Sequence, residues 1–286
     1  MTKSTPLTLG ELADKAWEKF YAHTSSPAPH RSHLNKVLEA FGRDQKVHRL
    51  TPGMIEDRAD AWVASGASEK TVNRRLAVLS RMLTWAHQRE WIAKVPHIQK
   101  YREKPGRLRW QTPAEEAEMI RLLREGGRDD LADLVAVLAD TGCRRSELLG
   151  LEWDDVDIIA DAEWGWIRLW ETKGGTSRSI PLTQRAREIL EARRELGAVG
   201  PFAGITARHL EDGWNRVRKA MGLEKDKGFT PHCLRHGCAS RLVQAGVPIL
   251  TVKELLGHSK LETTLIYAHL APRNLEEAVR LLEMGR

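Results

Sequence analysis

One stretch decides how this chain can divide. From Lys94 to Arg109 the sequence KVPHIQKYREKPGRLR carries Lys94, Lys100, Arg102, Lys104, Arg107 and Arg109 against a single acidic residue, Glu103. Cations this dense cannot be buried without partners, so the stretch is a poor place for a core. Apolar periodicity is strong on either side of it. The chain is therefore predicted to form two domains: a helical one over 1–98, a basic linker over 99–111 and a larger domain over 112–286. A length of 286 residues suits that division. The same stretch is suited to lying along phosphates, and equally to being a solvated connection.

The net charge of +6 and the pI of about 9.3 permit a polyanionic partner without requiring one. No apolar run approaches the roughly 20 residues of a membrane span, so no membrane partner is expected. The opening MTKSTPLTLGELADKAW is polar and soon acidic, unlike a secretory signal. Cys143, Cys233 and Cys238 make an odd count of three, which points to free thiols and a reducing, cytoplasmic setting.

The pattern before the linker is helical. Thr8 to Glu11 has capping-box spacing, and Leu12, Ala16 and Phe20 then repeat every four residues. A second helix is predicted from Ser68 to Trp91, with Val72, Leu76, Leu79, Leu83 and Ala86 on one face. Its other face carries Arg74, Arg75, Arg81 and Gln88, which fits a nucleic-acid groove as well as it fits open solvent. After the linker, Thr112-Pro-Ala-Glu115 is a further capping box with Pro at the first helical position. Helices are expected up to Gly126-Gly127 and from Leu131 to Asp140. Residues 164–173 and 176–182 alternate about Gly174-Gly175 and predict a hairpin. Trp164, Trp166 and Trp170 are expected there as packing residues. Helices follow to the end, one from Thr206 to Met221 with Leu210, Trp214, Val217 and Met221 on one face. The fold class is mainly α with a small antiparallel sheet.

Three linked signals fill the final third. Thr230-Pro231 reads as a cap and first turn that sets His232 and Arg235 on one helical face. Ile249 to Leu256 runs apolar-periodic into Gly257, a natural helix end that displays His258. Ser259-Lys-Leu-Glu262 has capping-box spacing for a next helix, which would carry Tyr267 about two turns in. Upstream, Arg144 and Glu147 stand three apart as another helix begins, and Lys173 sits at the hairpin tip. Arginines match phosphate oxygens bidentately, and histidines exchange protons near neutral pH, so this set suits phosphoryl transfer.

Two other chemistries fail on spacing. His232 and His236 are four apart, as zinc ligands on a helix can be, but no second Cys or His pair stands at ligand spacing. No metal and no cofactor is expected. A cysteine phosphatase loop opening at Cys233 needs an arginine at position 239, which is Ala.

The string TGCRRSELLGLEWDDVD resembles the first arginine box of the tyrosine recombinases, the phage-type integrases. TKGGTSRSIPL resembles their lysine hairpin. TPHCLRHGCASRLVQAGVPILTVKELLGHSKLETTLIYAHL is similar to their second box: HxxR, then LGH, then a tyrosine nine residues after that histidine. Residues 10–98 resemble the helical core-binding, SAM-like domain that precedes the catalytic one. The resemblance implies that Tyr267 attacks a DNA phosphate to give a 3′-phosphotyrosine and a free 5′-hydroxyl. It implies that Arg144 and Arg235 hold the non-bridging oxygens and that His258 hydrogen-bonds the phosphate. Lys173 would protonate the leaving oxygen, His232 would take the tyrosine proton, and Glu147 would orient Arg144. Arg178, in the same hairpin as Lys173, is set aside as a cation easily mistaken for a functional one.

The implied partner is double-stranded DNA with inverted-repeat core sites, bound by a homotetramer that exchanges strands through a Holliday junction, with accessory factors possible. Contacts to DNA are expected from Arg74, Arg75, Arg81, Lys100, Arg102, Lys104 and Arg107. The short stretch before Thr8 resembles the compact, Xer-like layout without an arm-binding domain. The segment Asn274 to Met284 is expected to dock on a neighbouring protomer or on its own domain. Cys233 and Gly237-Cys238 depart from residues common in the family, at positions that do not bear the reaction. A type IB topoisomerase and a silent DNA-binding relative are the alternatives.

Overall fold

The computed structural model describes residues 7–24, 27–103, 108–158, 164–170, 177–272, 279, 280 and 283. The chain forms two compact units, Met1–Gly106 and Arg107–Arg286. No helix among the described residues is long and apolar enough to cross a membrane.

Among its described residues the first unit packs four α-helices, α1 (Leu9–Phe20), α2 (Pro27–Phe41), α3 (Pro52–Ala64) and α4 (Glu69–Gln88). The Thr8–Glu11 capping box forms with both of its hydrogen bonds. Thr51 and Ser68 cap α3 and α4 by accepting from Met54 N and Thr71 N. Leu12 and Ala16 meet Leu34, Val37, Ile55, Leu76, Leu79 and Leu83 in the core, so the predicted stripes face inward. The chain beyond α4 stays with this unit. The side chain of Asn73 donates to the carbonyl of Tyr101 and accepts from its amide, both at 2.9 Å.

The second unit opens with α5 (Pro113–Glu125), started by the complete Thr112–Glu115 capping box. Next comes α6 (Asp129–Thr141), which is apolar nearly all round and therefore central. It is surrounded by α5, α8 (Gln184–Glu195) and α10 (His232–Gln244). Between α6 and α8 lie α7 (Arg145–Leu149) and three antiparallel strands in the order β1 (Val156–Asp157), β2 (Trp166–Leu169) and β3 (Arg178–Pro181). Ile167 pairs with Ile180, and Leu169 with Arg178. The hairpin arms are those predicted, while Lys173 and Gly174-Gly175 lie outside the described residues. Strand periodicity turns Ile167 and Leu169 to the core and their neighbours away. Trp164, Trp166 and Trp170 are accordingly 55%, 39% and 65% exposed, which corrects the expected packing role.

After α9 (Ala207–Ala220), the last third departs from expectation in three places. The α10 start is capped by the carbonyl of Thr230, which accepts from Cys233 N at 2.8 Å, and not by its hydroxyl. α11 (Ile249–Leu256) ends at Gly257 with φ +65°, as predicted. The Ser259–Glu262 capping box does not form: Leu261 precedes a four-residue helix, α12 (Glu262–Leu265). Tyr267 thus lies beyond that helix, at the start of a 3₁₀ turn over Ala268–Leu270. Most of the segment Asn274 to Met284 lies outside the described residues.

Candidate active site

The end of α11 organises the site. A helix leaves its last carbonyls without partners within the helix, and here three in succession are taken by arginines from three other segments. Arg178 Nε donates to Leu255 O at 3.0 Å, Arg235 Nη2 to Leu256 O at 2.6 Å, and Arg144 Nη2 to Gly257 O at 3.1 Å. Arg235, 3% exposed on α10, also donates to Gly142 O at 2.7 Å. Gly142 closes α6 at φ +63°, and a Cβ there would stand 2.9 Å from a Leu256 methyl. A residue with a side chain would therefore push the two helix ends apart.

Glu147 ties the arginines together. Its Oε1 accepts from Arg144 Nη1 at 2.7 Å, and its Oε2 accepts from Arg144 N at 2.7 Å. Arg178 grips both oxygens, at 3.1 and 2.7 Å. The side chains of Arg178 and Glu147 are 7% and 8% exposed. Burial works to raise the Glu147 pKa, yet the hydrogen bond from Arg178, that from the Arg144 amide and the Arg178 charge together hold it below its ordinary value. The Arg144 guanidinium is thus held between Glu147 and Gly257 O. Arg178 proves integral to the site, contrary to its being set aside. Strand parity carried the signal: Arg178 is opposite Leu169, on the inward face, where a cation needs a buried partner.

Arg235 and His232 line a cleft of about 410 Å³ with Cys143, Arg145, Trp214 and Arg218. His232 reaches the surface, but partial desolvation and then the charges of Arg235 and Arg144 keep it below its ordinary pKa. His258 Nδ1 is 2.9 Å from Thr264 Oγ1. Burial first, then Arg235 and Arg144, pushes the His258 pKa down to about 4, so it is neutral at pH 7. Burial and then Arg144 bring Arg235 down to about 10, which leaves it charged.

Tyr267 stands apart from this arrangement. Its ring is 1% exposed and packs with Ala239, Val243, Val252 and Leu256. Its hydroxyl lies 2.5 Å from Nδ1 of His236, not on His232. The rings of His232 and His236 meet edge to face at 4.6 Å. Burial pushes the Tyr267 pKa up to about 12 against the opposing charge of Arg235. His236 drew notice in the sequence only as half of a rejected zinc pair. No group of three or more His, Cys, Asp or Glu residues among the described residues is placed to hold a metal. The three thiols are free and buried, and burial raises the pKa of Cys233 and Cys238 to about 12.

The expected DNA-contact residues differ among themselves. Arg74, Lys100 and Arg102 are exposed. Arg81 is exposed but lies over the Phe20 ring at 4.3 Å, and Arg75 is half-buried over Trp62 at 5.1 Å. Lys104 and Arg107 lie outside the described residues. Arg109, counted among the linker cations, faces inward instead: it bonds Glu115 and lies 2.8 Å from Asp226.

The fold is that of an integrase. The Tn1549 transposon integrase in complex with circular intermediate DNA aligns with a TM-score of 0.76 at 22% identity, over 98% of this chain and all of that one, 100%. Residues 112–274 match the model of the phage integrase family. Tyrosine recombinase XerC of Azotobacter vinelandii is 37% identical over 269 residues, covering 82% of this chain and 85% of that protein. The integrase of Salmonella phage P22 is 30% identical over 221 residues, 71% of this chain, which spans only 55% of that integrase. The chain belongs to the phage integrase family.

Proposed function

We propose that the protein is a site-specific DNA recombinase that cuts and rejoins strands through Tyr267. The observation that carries this reading is the meeting of Arg144, Arg235 and His258 at one helix end. Their segments are 113 and 93 residues apart where Arg144 meets Gly257 and Arg235 meets Gly142. Arg144 and Arg235 hold the non-bridging oxygens of the scissile phosphate, where their charge matters most as the pentacovalent transition state forms. His258, neutral, donates a hydrogen bond to the same phosphate. The Tyr267 oxygen attacks phosphorus as its proton passes to His232. The bond to the 5′ oxygen breaks, and Lys173 protonates that oxygen. A 3′-phosphotyrosyl link results and keeps the phosphodiester energy, so rejoining needs no nucleotide. Because Tyr267 is buried, its segment must move for attack.

The substrate in this reading is duplex DNA with inverted-repeat core sites. Arg74, Arg81, Lys100 and Arg102 rest on its phosphates, and four protomers exchange strands through a Holliday junction. The two curated relatives named above are an integrase and a tyrosine recombinase, which favours this function over a topoisomerase. Three free thiols suit a reducing cytoplasm. The test is covalent trapping on nicked DNA from the cognate element ends in EDTA, wild type beside Tyr267→Phe. A protease-sensitive, 3′-linked adduct made by wild type alone is expected. Tight binding of the correct site by wild type without an adduct would point to a silent DNA-binding relative. Relaxation of supercoils by monomers without two-site recombination would point to a topoisomerase.

A further inference from the structure

We propose that His236 is a positioning residue for the nucleophile: its Nδ1 holds the Tyr267 hydroxyl out of the cleft, and this bond must open before Tyr267 can attack. The inference rests on the reading of Tyr267 as the nucleophile. Tyr267 Oη is 2.5 Å from Nδ1 of His236, and the ring centroids are 5.9 Å apart. A neutral histidine accepts at one nitrogen and donates at the other, so the tyrosine hydroxyl donates to Nδ1.

The surroundings make this bond more than ordinary core packing. The apolar residues about the Tyr267 ring, Ala239, Val243, Val252 and Leu256, offer its hydroxyl no polar partner. A buried hydroxyl without a partner is costly, so His236 is what allows the ring to stay closed. The segment that carries Tyr267 starts in a short helix: α12 has four residues and no side-chain cap, and its buried residue is Thr264, whose Oγ1 is 2.9 Å from His258 Nδ1. His236 also packs edge-on against His232, which lines the cleft with Arg235. A ligand that moves His232 thereby moves the partner of the tyrosine, which places the release of Tyr267 beside the phosphate-binding floor.

Side-chain geometry supplies the test. An Asn amide reaches the place of Nδ1, whereas a Gln amide reaches that of Nε2. The chain has three tyrosines. Tyr21 is 2% exposed, and the hydroxyl of partly exposed Tyr101 donates to Asp60, so each nitrated peptide can be separately assigned. Full-length protein without DNA would be treated with tetranitromethane and the three sites measured by mass spectrometry. His236→Gln and His236→Ala are expected to raise nitration of Tyr267 about threefold to tenfold over wild type, the change in opening that one hydrogen bond controls, with Tyr21 unchanged. His236→Asn should restore protection. On nicked DNA, at saturating protein, the Gln variant should form adduct faster than wild type and the Asn variant at the wild-type rate. Unchanged Tyr267 nitration in the Gln variant would overturn the proposal, as would slower adduct formation in both the Gln and the Asn variants, which marks a proton acceptor, since an amide holds a hydrogen bond but takes no proton. An adduct formed by Tyr267→Phe would remove Tyr267 as nucleophile, while the nitration result would still report on whether His236 holds it.

Discussion

The floor of the site and the tyrosine beside it are built on opposite terms. Arg144, Arg178 and Arg235 are each fixed by backbone carbonyls, and two of them by Glu147 as well, before any ligand arrives. Tyr267 comes after a four-residue helix without a side-chain cap and has its hydroxyl turned to a histidine. Charge that must stabilise a transition state gains from being placed in advance, because reorganising it during reaction costs energy. A nucleophile, the role proposed for Tyr267, gains from the opposite arrangement. Kept closed, it cannot attack until the correct ligand is in place, and its apolar ring meanwhile fills the core.

The largest expected effect comes from breaking the fixed side. Arg178→Ala strips a buried carboxylate of its bidentate partner and leaves Leu255 O unpaired, so it should cost about 3–5 kcal/mol of stability. Urea unfolding would measure it. A loss below about 1 kcal/mol, of order a surface pair, would mean that Arg144 alone satisfies Glu147. Arg235→Lys keeps the charge but cannot span Gly142 O and Leu256 O together with a phosphate. Adduct formation on nicked DNA should fall about 10²- to 10³-fold with the fold intact by circular dichroism. A lysine variant of wild-type rate would show that position 235 supplies charge without geometry.

A smaller effect is expected at the joint between the two regions. Gly257 has φ +65°, and a Cβ there would stand 2.7 Å from Arg178 Nη1. Gly257→Ala should cost about 1–2 kcal/mol from the left-handed backbone alone, and more if Arg178 is displaced. Thermal unfolding beside the additive expectation from Arg178→Ala separates the two contributions.

The histidines give a pH signature of known sign. His236 and His258 are held at about 4 in the fold, against an ordinary value of 6.5. Between those values the unfolded chain binds more protons than the folded one, so stability is full above 6.5 and is lost as pH falls toward 4. Both groups are partly exposed, which keeps the effect modest. The melting temperature of wild type should fall over this window, and less so in His258→Gln. Equal slopes would place the proton uptake elsewhere.

Much of the floor was legible in the sequence. Arg144, Glu147, Arg235 and His258 each sit at a helix boundary that glycine or spacing marks locally, and the structure puts them at those boundaries. The residues that escaped depend on contacts between distant segments. Arg178 looks like any hairpin cation until its pairing opposite Leu169 turns it inward toward a glutamate 31 residues away. His236 acquires a role only because Tyr267 comes back to it across a separation of 31 residues. The misread tryptophans fail for a related reason: alternation identifies two faces of a strand but not which of them the core will cover.

The smallest prediction returns to the tyrosine segment, where spacing alone misled. Thr112–Glu115 and Ser259–Glu262 carry equivalent capping-box patterns, yet only the first forms. The difference lies in the helix that each pattern opens. α5 continues for 13 residues and buries Met119 and Leu123, so tertiary packing supports the frame in which its cap hydrogen bonds close. α12 has four residues and buries Thr264 alone, too little packing to hold Ser259 in the capping geometry. Thr112→Ala should therefore cost about 1 kcal/mol, and Ser259→Ala should be near neutral, in parallel urea titrations. Equal losses would mean that the second cap forms in solution, and with it a longer, firmer helix leading to Tyr267. That outcome would undercut the contrast between a fixed floor and a loosely mounted tyrosine.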